Sequence, residues 1–270
     1  MINPLPGPVF PDFLSAFLLS ITPDSLITVY DEISLMFIIG HRGARALAPE
    51  NTLLAVRTGM QCADFVEVDV RLSADGVPVI MHDETVNRTT NGTGPVHGYT
   101  LHDLKLLNAG EGEQIPTLEE VCHQVKEECG LVVEIKEPGS EAPVCTTLRR
   151  NPPRDLVIVS FHPESITAAR ALIPGVRTGI ISSHTALDLP ALAGNIGADM
   201  LLPRFDLVTR EMITECRGWG LPVIAWTLNT EDAFRMAEDL GIDGFATDDP
   251  CAAGKFFGRS KHGLPGGYPG

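Results

Sequence analysis

FVEVDVRLSADGVPVIMH, residues 65–82, contains two strand-like runs that together decide the fold. The runs Phe65–Val70 and Val77–His82 are joined only by Arg71–Gly76. A parallel crossover needs about a dozen residues or more, so the two runs cannot be adjacent parallel strands. The Asp-Gly pair at 75–76 favours a hairpin-like reversal instead. We therefore predict that Val77–His82 is an excursion from the main sheet.

The remaining strand-like runs alternate with segments of helical character. The eight runs are Met36–Gly40, Phe65–Val70, Leu131–Lys136, Leu156–Phe161, Arg177–Ser182, Met200–Pro203, Pro222–Leu228 and Gly244–Thr247. The helical segments are Asn51–Ala63, Leu118–Cys129, Glu164–Leu172, Thr209–Trp219 and Thr230–Leu240. Such alternation is typical of βα units around a parallel sheet. The sequence predicts an α/β fold, a (β/α)8 TIM barrel in a single domain, with an excursion and a long loop over its C-terminal face.

The two ends of the chain differ from the predicted barrel in composition. We expect an N-terminal extension at residues 1–35, a barrel domain at 36–257 and a flexible tail at 258–270. The apolar stretch Phe13–Ile21 has no Lys or Arg before it, which is unlike a secretory signal, and it is too short to span a membrane. Met36 stands directly before the first strand, so residues 1–35 are either an over-long gene assignment or an extension packed on the barrel.

Composition excludes several classes of protein. The 270 residues include 20 Lys and Arg against 35 Asp and Glu, and the formal net charge is −15. Nucleic-acid binding needs basic surface, so it is not expected, and a hydrophobic fraction of 44% is too high for a disordered chain. The six cysteines have irregular spacing and form no C-x-x-C pair. This spacing predicts reduced thiols and a cytoplasmic protein. No segment reaches the length needed to span a membrane, so stable membrane insertion is not expected.

Carboxylates interrupt two strands that are otherwise apolar. Glu67 and Asp69 alternate with valines, so both side chains lie on one face of the strand. Glu134 and Lys136 share a face in the same way at the end of a second strand. A hard divalent cation would relieve the repulsion among three buried carboxylates. The alternatives are a solvated strand face for the first pair and a structural ion pair for the second.

Two histidines follow strand-like runs. His41 precedes Arg42 after the first run, and His82 ends the excursion. The C-terminal ends of barrel strands form the functional face, so both are expected beside the carboxylates. Imidazole titrates near neutrality, which allows one histidine to act as a base and the other as an acid. A single histidine of this kind is more often structural.

Several short motifs, taken together, resemble the glycerophosphodiester phosphodiesterase family. They are HRGA at 41–44, PENT at 49–52, EVDV at 67–70, HD at 82–83, RTTNGTG at 88–94, IPTLEE at 115–120, EIK at 134–136, WTLN at 226–229 and GIDG at 241–244. Each motif alone is weak, but they occur in the family's order from about Ile38 to Pro250.

The resemblance implies a barrel related to phosphatidylinositol-specific phospholipase C, with a divalent metal at its mouth. It implies that His41 and His82 are the catalytic acid and base, and that Glu67, Asp69 and Glu134 are the metal ligands. Arg42 matches a phosphate-binding residue, and Lys136 is expected to be a second one. The supporting residue Glu50 either binds the metal or orients Arg42, while Asn51 and Thr52 are expected to cap the next helix. Phe161 and Trp226 form either an apolar wall beside the substrate or ordinary barrel packing.

The implied activity is hydrolysis of small-molecule glycerophosphodiesters to sn-glycerol 3-phosphate and an alcohol, with Ca²⁺ or Mg²⁺ as cofactor. The nucleophile is either water or the 2-hydroxyl of the glycerol group. Alternatives are phospholipase D-like or lysophospholipase D activity on lipid phosphodiesters, or a non-catalytic ligand-binding barrel. The sequence leaves the oligomeric state and the alcohol group open.

Overall fold

The structure, a computed structural model, describes residues 36–184 and 188–259. The predicted extension at 1–35 and residues 260–270 of the predicted tail lie outside the described residues. In the part of the chain that is described, no helix is both long enough and apolar enough to cross a membrane.

A parallel sheet curls into the predicted barrel. Its strands are β1 (Phe37–Gly40), β2 (Phe65–Leu72), β4 (Gly130–Ile135), β5 (Leu156–Ser160), β6 (Arg177–Ser182), β7 (Met200–Pro203), β8 (Ile224–Ala225) and β9 (Gly244–Thr247), with β3 (Pro78–Ile80) outside this series. The hydrogen-bonded order is β7-β6-β5-β4-β2-β1-β9-β8. Parallel bridges from Leu201 to Val223 and from Arg204 to Trp226 bring the two end strands together. The TIM barrel prediction is confirmed.

The predicted excursion is also confirmed. β3 runs antiparallel to β2, with Val70 opposite Ile80 and Leu72 opposite Pro78. The reversal needs Gly76, whose φ of +76° belongs to the left-handed region that favours glycine. After β3, the chain forms a loop region with its own apolar cluster, which is separate from the barrel core. This loop region carries His82 to the mouth of the barrel.

Helices cover the outside of the sheet. They are α1 (Leu53–Met60), α2 (Leu101–Leu104), α3 (Leu118–Val125), α4 (Glu141–Arg150), α5 (Pro163–Leu172), α6 (Leu189–Ile196), α7 (Arg210–Gly218), α8 (Glu231–Leu240) and α9 (Pro250–Phe256). No helix was predicted at α2, α4, α6 or α9. The helices α4, α6 and α9 each carry a proline in the first turn and α2 has only four residues, which weakens the helical signal in the sequence.

The alternation along β2 separates two environments. Val66, Val68 and Val70 point outward and are fully buried against the surrounding helices. Glu67 and Asp69 point into the barrel, where the bottom is closed by a separate apolar layer. Glu67 and Asp69 therefore lie above this apolar layer, on the side of the barrel where the strands end.

The cysteine prediction is wrong for one pair. Cys62, just after α1, forms a disulfide with Cys251 in α9, across 189 residues of sequence. The pairing could not be deduced from spacing, because it depends on closure of the barrel between β1 and β9. The other four cysteines are buried thiols. Since disulfides persist mainly in oxidising compartments, the cysteines no longer support a cytoplasmic location.

Candidate active site

His41 follows β1 and is held by the residue that follows the neighbouring strand β9. Its Nδ1 lies 2.7 Å from Oδ1 of Asp248. Asn229 donates from Nδ2 to the other carboxylate oxygen of Asp248 at 2.8 Å, and Arg45 Nε lies 2.8 Å from Oδ1. Burial alone would raise the pKa of Asp248, but the hydrogen bond with His41 and the positive neighbours lower it. The carboxylate therefore stays ionised beside the imidazole ring.

Arg42 occupies a tight turn after β1. Its φ is +50°, and its backbone N–H donates to Oε2 of Glu67 at 2.8 Å. Gly43 follows with φ +83°, and a Cβ there would lie only 2.5 Å from the carbonyl carbon of Ala55. Only glycine fits this close approach of the loop to α1. The turn directs the buried Arg42 guanidinium into the barrel mouth.

Three carboxylates meet at the predicted metal position. Glu67, Asp69 and Glu134 each offer an oxygen, and these oxygens lie within 4.8 Å of one another. All three residues are buried, and Oε1 of Glu67 has no hydrogen-bond partner among the described residues. Burial, with Asp69 and Glu134 nearby, raises the pKa of Glu67 well above its ordinary value. An unpaired, buried carboxylate oxygen is costly, so the cluster fits a hard cation with oxygen ligands.

Charge is divided unevenly within this cluster. Burial would raise the pKa of Asp69, but Lys136 and Arg42 together lower it to about 2. Burial and Asp69 raise the pKa of Glu134 to about 7, although Lys136 Nζ lies 2.6 Å from its Oε1. Asn51 donates to Oδ2 of Asp69 at 2.8 Å. The prediction that Asn51 caps α1 is therefore wrong, because its side chain orients Asp69. The prediction for Thr52 is confirmed, because its side chain caps α1.

His82 approaches the same mouth from the excursion. Its Nδ1 lies 2.7 Å from Oδ1 of Asp83, and its carbonyl accepts a hydrogen bond of 3.0 Å from the buried Arg71. Burial and the positive charges of Lys136 and Arg42 lower the pKa of His82, against the opposing effect of Asp69 and Asp83. The ring is held on its Nδ1 side, as in His41.

Glu50 lies between two arginines and outside the carboxylate cluster. Oε1 accepts from Arg42 Nη1 at 2.7 Å and from Arg88 Nη2 at 2.7 Å. Of the two roles considered for Glu50, this geometry favours orienting Arg42. Burial would raise the pKa of Glu50, but the hydrogen bonds from both arginines lower it.

Phe161 and Trp226 form an aromatic corner beside Lys136. Their rings are perpendicular, with centroids 5.8 Å apart. Nζ of Lys136 lies 5.8 Å from the centroid of Phe161. Trp226 donates from Nε1 to the carbonyl of Leu202 at 2.9 Å, so its polar atom is already paired. The corner presents apolar ring surface next to a positive charge.

Sequence reasoning missed three residues of this region. No site role was predicted for Asp248, Asn229 or Arg88, although all three lie in or directly after recognised segments. Asp248 follows β9 just as His41 follows β1, and polar residues at strand ends of a barrel indicate a functional face. That rule could have found Asp248. Arg88 lies in an irregular loop, where no period indicates the direction of a side chain.

The fold and the site define a barrel enzyme with a buried cluster of carboxylates at its mouth. Beside the cluster lie two positively charged side chains and two histidines, each hydrogen-bonded to a carboxylate. Residues 41–252 match the model of the glycerophosphoryl diester phosphodiesterase family. A glycerophosphodiester phosphodiesterase of Caldanaerobacter subterraneus is 33% identical over 228 residues, 79% of this chain and 94% of that protein. One from Bacillus subtilis is 30% identical over 264 residues, covering 85% of this chain and 86% of its own.

Solved structures agree with these sequence relatives. An Oleispira antarctica phosphodiesterase in complex with the product sn-glycerol 3-phosphate has a TM-score of 0.79 and 30% identity, over 82% of this chain and 96% of its own. A glycerophosphodiester phosphodiesterase of Thermotoga maritima has a TM-score of 0.72 and 26% identity, over 82% and 97%. The chain belongs to the glycerophosphoryl diester phosphodiesterase family, and it is an enzyme of that class.

Proposed function

We propose that this enzyme hydrolyses glycerophosphodiesters to sn-glycerol 3-phosphate and an alcohol, with a divalent cation at Glu67, Asp69 and Glu134. The observation that carries the proposal is the buried carboxylate cluster, flanked by Arg42 and Lys136 and facing two histidines. The bound product in the Oleispira relative supports the same product here.

The side chains of Arg42 and Lys136 bind the phosphodiester. Arg42 is buried, with Nη1 hydrogen-bonded to Glu50 and Nε 3.3 Å from Oδ2 of Asp69, so its other guanidinium N–H groups are the ones that would donate to a phosphate oxygen. Lys136 supplies a second charge, and burial would lower its pKa, but Asp69 and Glu134 raise it, so it stays protonated. A divalent cation at the carboxylates would add positive charge that polarises the phosphate oxygens. Fixed charges of this kind stabilise the negative charge that builds up in the transition state.

The two histidines move protons through Nε2. In each ring Nδ1 faces a carboxylate, Asp248 for His41 and Asp83 for His82, so Nδ1 carries hydrogen. One neutral ring accepts a proton at Nε2 from the attacking hydroxyl as the new P–O bond forms. The other, protonated, donates from Nε2 to the leaving alkoxide as the old P–O bond breaks. Phe161 and Trp226 pack against the glycerol or the alcohol group.

The nucleophile is either water or the 2-hydroxyl of the glycerol group. The second route passes through a cyclic phosphate, which has its own ³¹P NMR signal. A transient signal of that kind during turnover indicates the 2-hydroxyl, and its absence in a stopped time course indicates water.

A coupled assay for glycerol 3-phosphate tests the proposal. The substrates are glycerophosphocholine and glycerophosphoethanolamine, each with and without EDTA, and a lysophospholipid serves as the lipid arm. We expect release of glycerol 3-phosphate from the small diesters and loss of activity with EDTA. Activity that is insensitive to chelators, or hydrolysis of the lysophospholipid alone, contradicts the proposal.

Variants of the histidines test their roles. We expect His41→Ala and His82→Ala each to lower kcat by about 10²-fold or more without loss of the fold. His123→Ala is the matched control, because His123 is exposed on α3 and hydrogen-bonds to Asn151, outside the proposed site. Wild-type turnover in either active-site variant overturns the acid and base assignment.

A further inference from the structure

Arg88 joins two carboxylates that hold different parts of the site. It donates from Nη1 and Nη2 to the two oxygens of Glu50, at 2.8 and 2.7 Å. It also donates from Nε and Nη2 to the two oxygens of Asp83, at 2.7 and 3.0 Å. Both contacts are bidentate, and together they use four of the five guanidinium N–H groups.

Each carboxylate has a second partner at the barrel mouth. Glu50 accepts from Nη1 of Arg42, and Asp83 contacts Nδ1 of His82, both at 2.7 Å. An unbroken chain of charged contacts therefore runs from Arg42 through Glu50, Arg88 and Asp83 to His82. It connects the turn after β1 with the end of the excursion, about 40 residues later in the sequence.

The loop that carries Arg88 is fixed by its own contacts. Val86, two residues earlier, is fully buried in the apolar cluster of the loop region. Its N–H donates to the carbonyl of Gly94 at 3.0 Å, and its carbonyl accepts from Thr90 Oγ1 at 2.7 Å. Arg88 is 47% exposed at its side chain, yet its backbone is held on both sides. The backbone that carries the Arg88 guanidinium is thus anchored by the contacts of Val86.

We propose that Arg88 is a positioning residue: it orients His82 through Asp83 and Arg42 through Glu50, so that the imidazole and the guanidinium meet the same phosphate. The inference rests on the proposed function for its kinetic consequence. A lysine in this place has one compact ammonium, which cannot pair bidentately with two carboxylates. The effect of Arg88 is therefore geometric as well as electrostatic.

The first test compares Arg88→Ala and Arg88→Lys with a matched control. Arg235 also bridges two carboxylates, Glu231 and Asp232, but it lies on the outer helix α8. We expect both Arg88 variants to lose about 10-fold or more in kcat/KM, as is usual when a partner that orients a site residue is removed. Arg235→Ala is expected to keep wild-type kinetics. Activity of Arg88→Lys equal to wild type overturns the geometric role.

The second test separates positioning from general stability. Guanidinium at low concentration should restore part of the activity of Arg88→Ala, while sodium chloride at equal ionic strength should not. In a Glu50→Gln/Asp83→Asn background, Arg88→Ala should cost less than about 2-fold, because its two targets are already altered. Full additivity in that background contradicts the proposal.

A readout that does not need turnover keeps this inference distinct from the proposed function. The ¹⁵N signals of the His82 ring report its tautomer and hydrogen bond. They should change in Arg88→Ala and stay unchanged in Arg235→Ala. If the wild-type enzyme shows no diesterase activity, the proposed function fails while this measurement still decides the role of Arg88. Unchanged His82 signals in Arg88→Ala overturn it.

Discussion

Nδ1 of His41 and Oδ1 of Asp248 lie 2.7 Å apart, although 207 residues separate them in sequence. The register of the barrel places them together: Gly40 at the end of β1 is paired with Thr247 at the end of β9. The next residue of each strand is then His41 on one side and Asp248 on the other. Asn229 donates one hydrogen bond to the Asp248 carboxylate and accepts another from its backbone N–H, so the ring is oriented from outside the site.

Asp248→Asn should lower kcat while the fold is kept. The amide keeps the shape but removes the charge that stabilises a protonated His41, and its NH₂ group can face Nδ1 and favour the wrong tautomer. We expect a loss of about 10-fold or more in kcat. Asp249→Asn is the matched control, because Asp249 caps α9 and asparagine caps equally well. Equal kinetics of the two variants would show that Asp248 has no part in turnover.

The pH dependence of the free energy of unfolding should also show the contribution of the ionised Asp248 carboxylate. Burial would raise the pKa of Asp248 in the folded protein, but the hydrogen bond with His41 and the charges of His41 and Arg45 lower it. A carboxyl group whose pKa is lowered in the folded protein stabilises the fold at pH values above its pKa in the unfolded chain, which is near 4. This stabilisation is lost as the pH falls toward the pKa of the folded protein. The free energy of unfolding of wild type minus that of Asp248→Asn should therefore shrink as the pH falls below about 5. A difference that grows toward acid pH would contradict this sign.

The parts of the fold that follow local rules could be predicted from the sequence. The short link after β2 required β3 to leave the parallel sheet, and the alternation of Glu67 and Asp69 with valines placed both acids inside the barrel. The disulfide between Cys62 and Cys251 and the His41–Asp248 contact could not be predicted in this way. Both depend on how the sheet closes, which no local period encodes.

The direction of polar side chains was the least predictable property of the site. Asn51 precedes a helix, where asparagine is a common cap, but the left-handed backbone at φ +59° turns it toward Asp69. The choice between the two roles of Glu50 likewise depended on the position of Arg88 in an irregular loop. Both outcomes are decided by tertiary contacts, so residue type and spacing were insufficient.

Glu67→Gln should have opposite effects on the metal-free and metal-bound protein. Without metal, the substitution removes one of three crowded, buried carboxylates, so the Tm should stay equal or rise. With Ca²⁺ or Mg²⁺, the stabilisation seen in wild type should largely disappear, because a neutral amide is a weaker ligand. Calorimetric titration and thermal melts with each ion measure both effects.

The control for this experiment is another buried glutamate. Glu141 lies in α4 and accepts from Ser165 Oγ and from the N–H of Gly139, outside the carboxylate cluster. Glu141→Gln should keep the metal response of wild type. Equal metal stabilisation in Glu67→Gln and wild type would count against the proposed cation position.

Reduction of the disulfide should lower the melting temperature without altering the site directly. Cys62 and Cys251 close a loop of 189 residues, for which the chain-entropy model gives about 5 kcal/mol of stabilisation. For a domain of this size, that corresponds to a fall in Tm of about 10 °C or more. A thermal melt with and without reductant measures it, and Cys251→Ser should melt at the lower temperature with no further response to reductant.

Counting thiols checks the same assignment chemically. The other cysteines are buried, and burial raises the pKa of Cys122 to about 12 and that of Cys216 to about 11, which suppresses the reactive thiolate. We expect a thiol reagent to label almost nothing in the native protein, four cysteines after unfolding, and all six after unfolding with reduction. Six labelled thiols after unfolding without reductant would show that Cys62 and Cys251 are not joined.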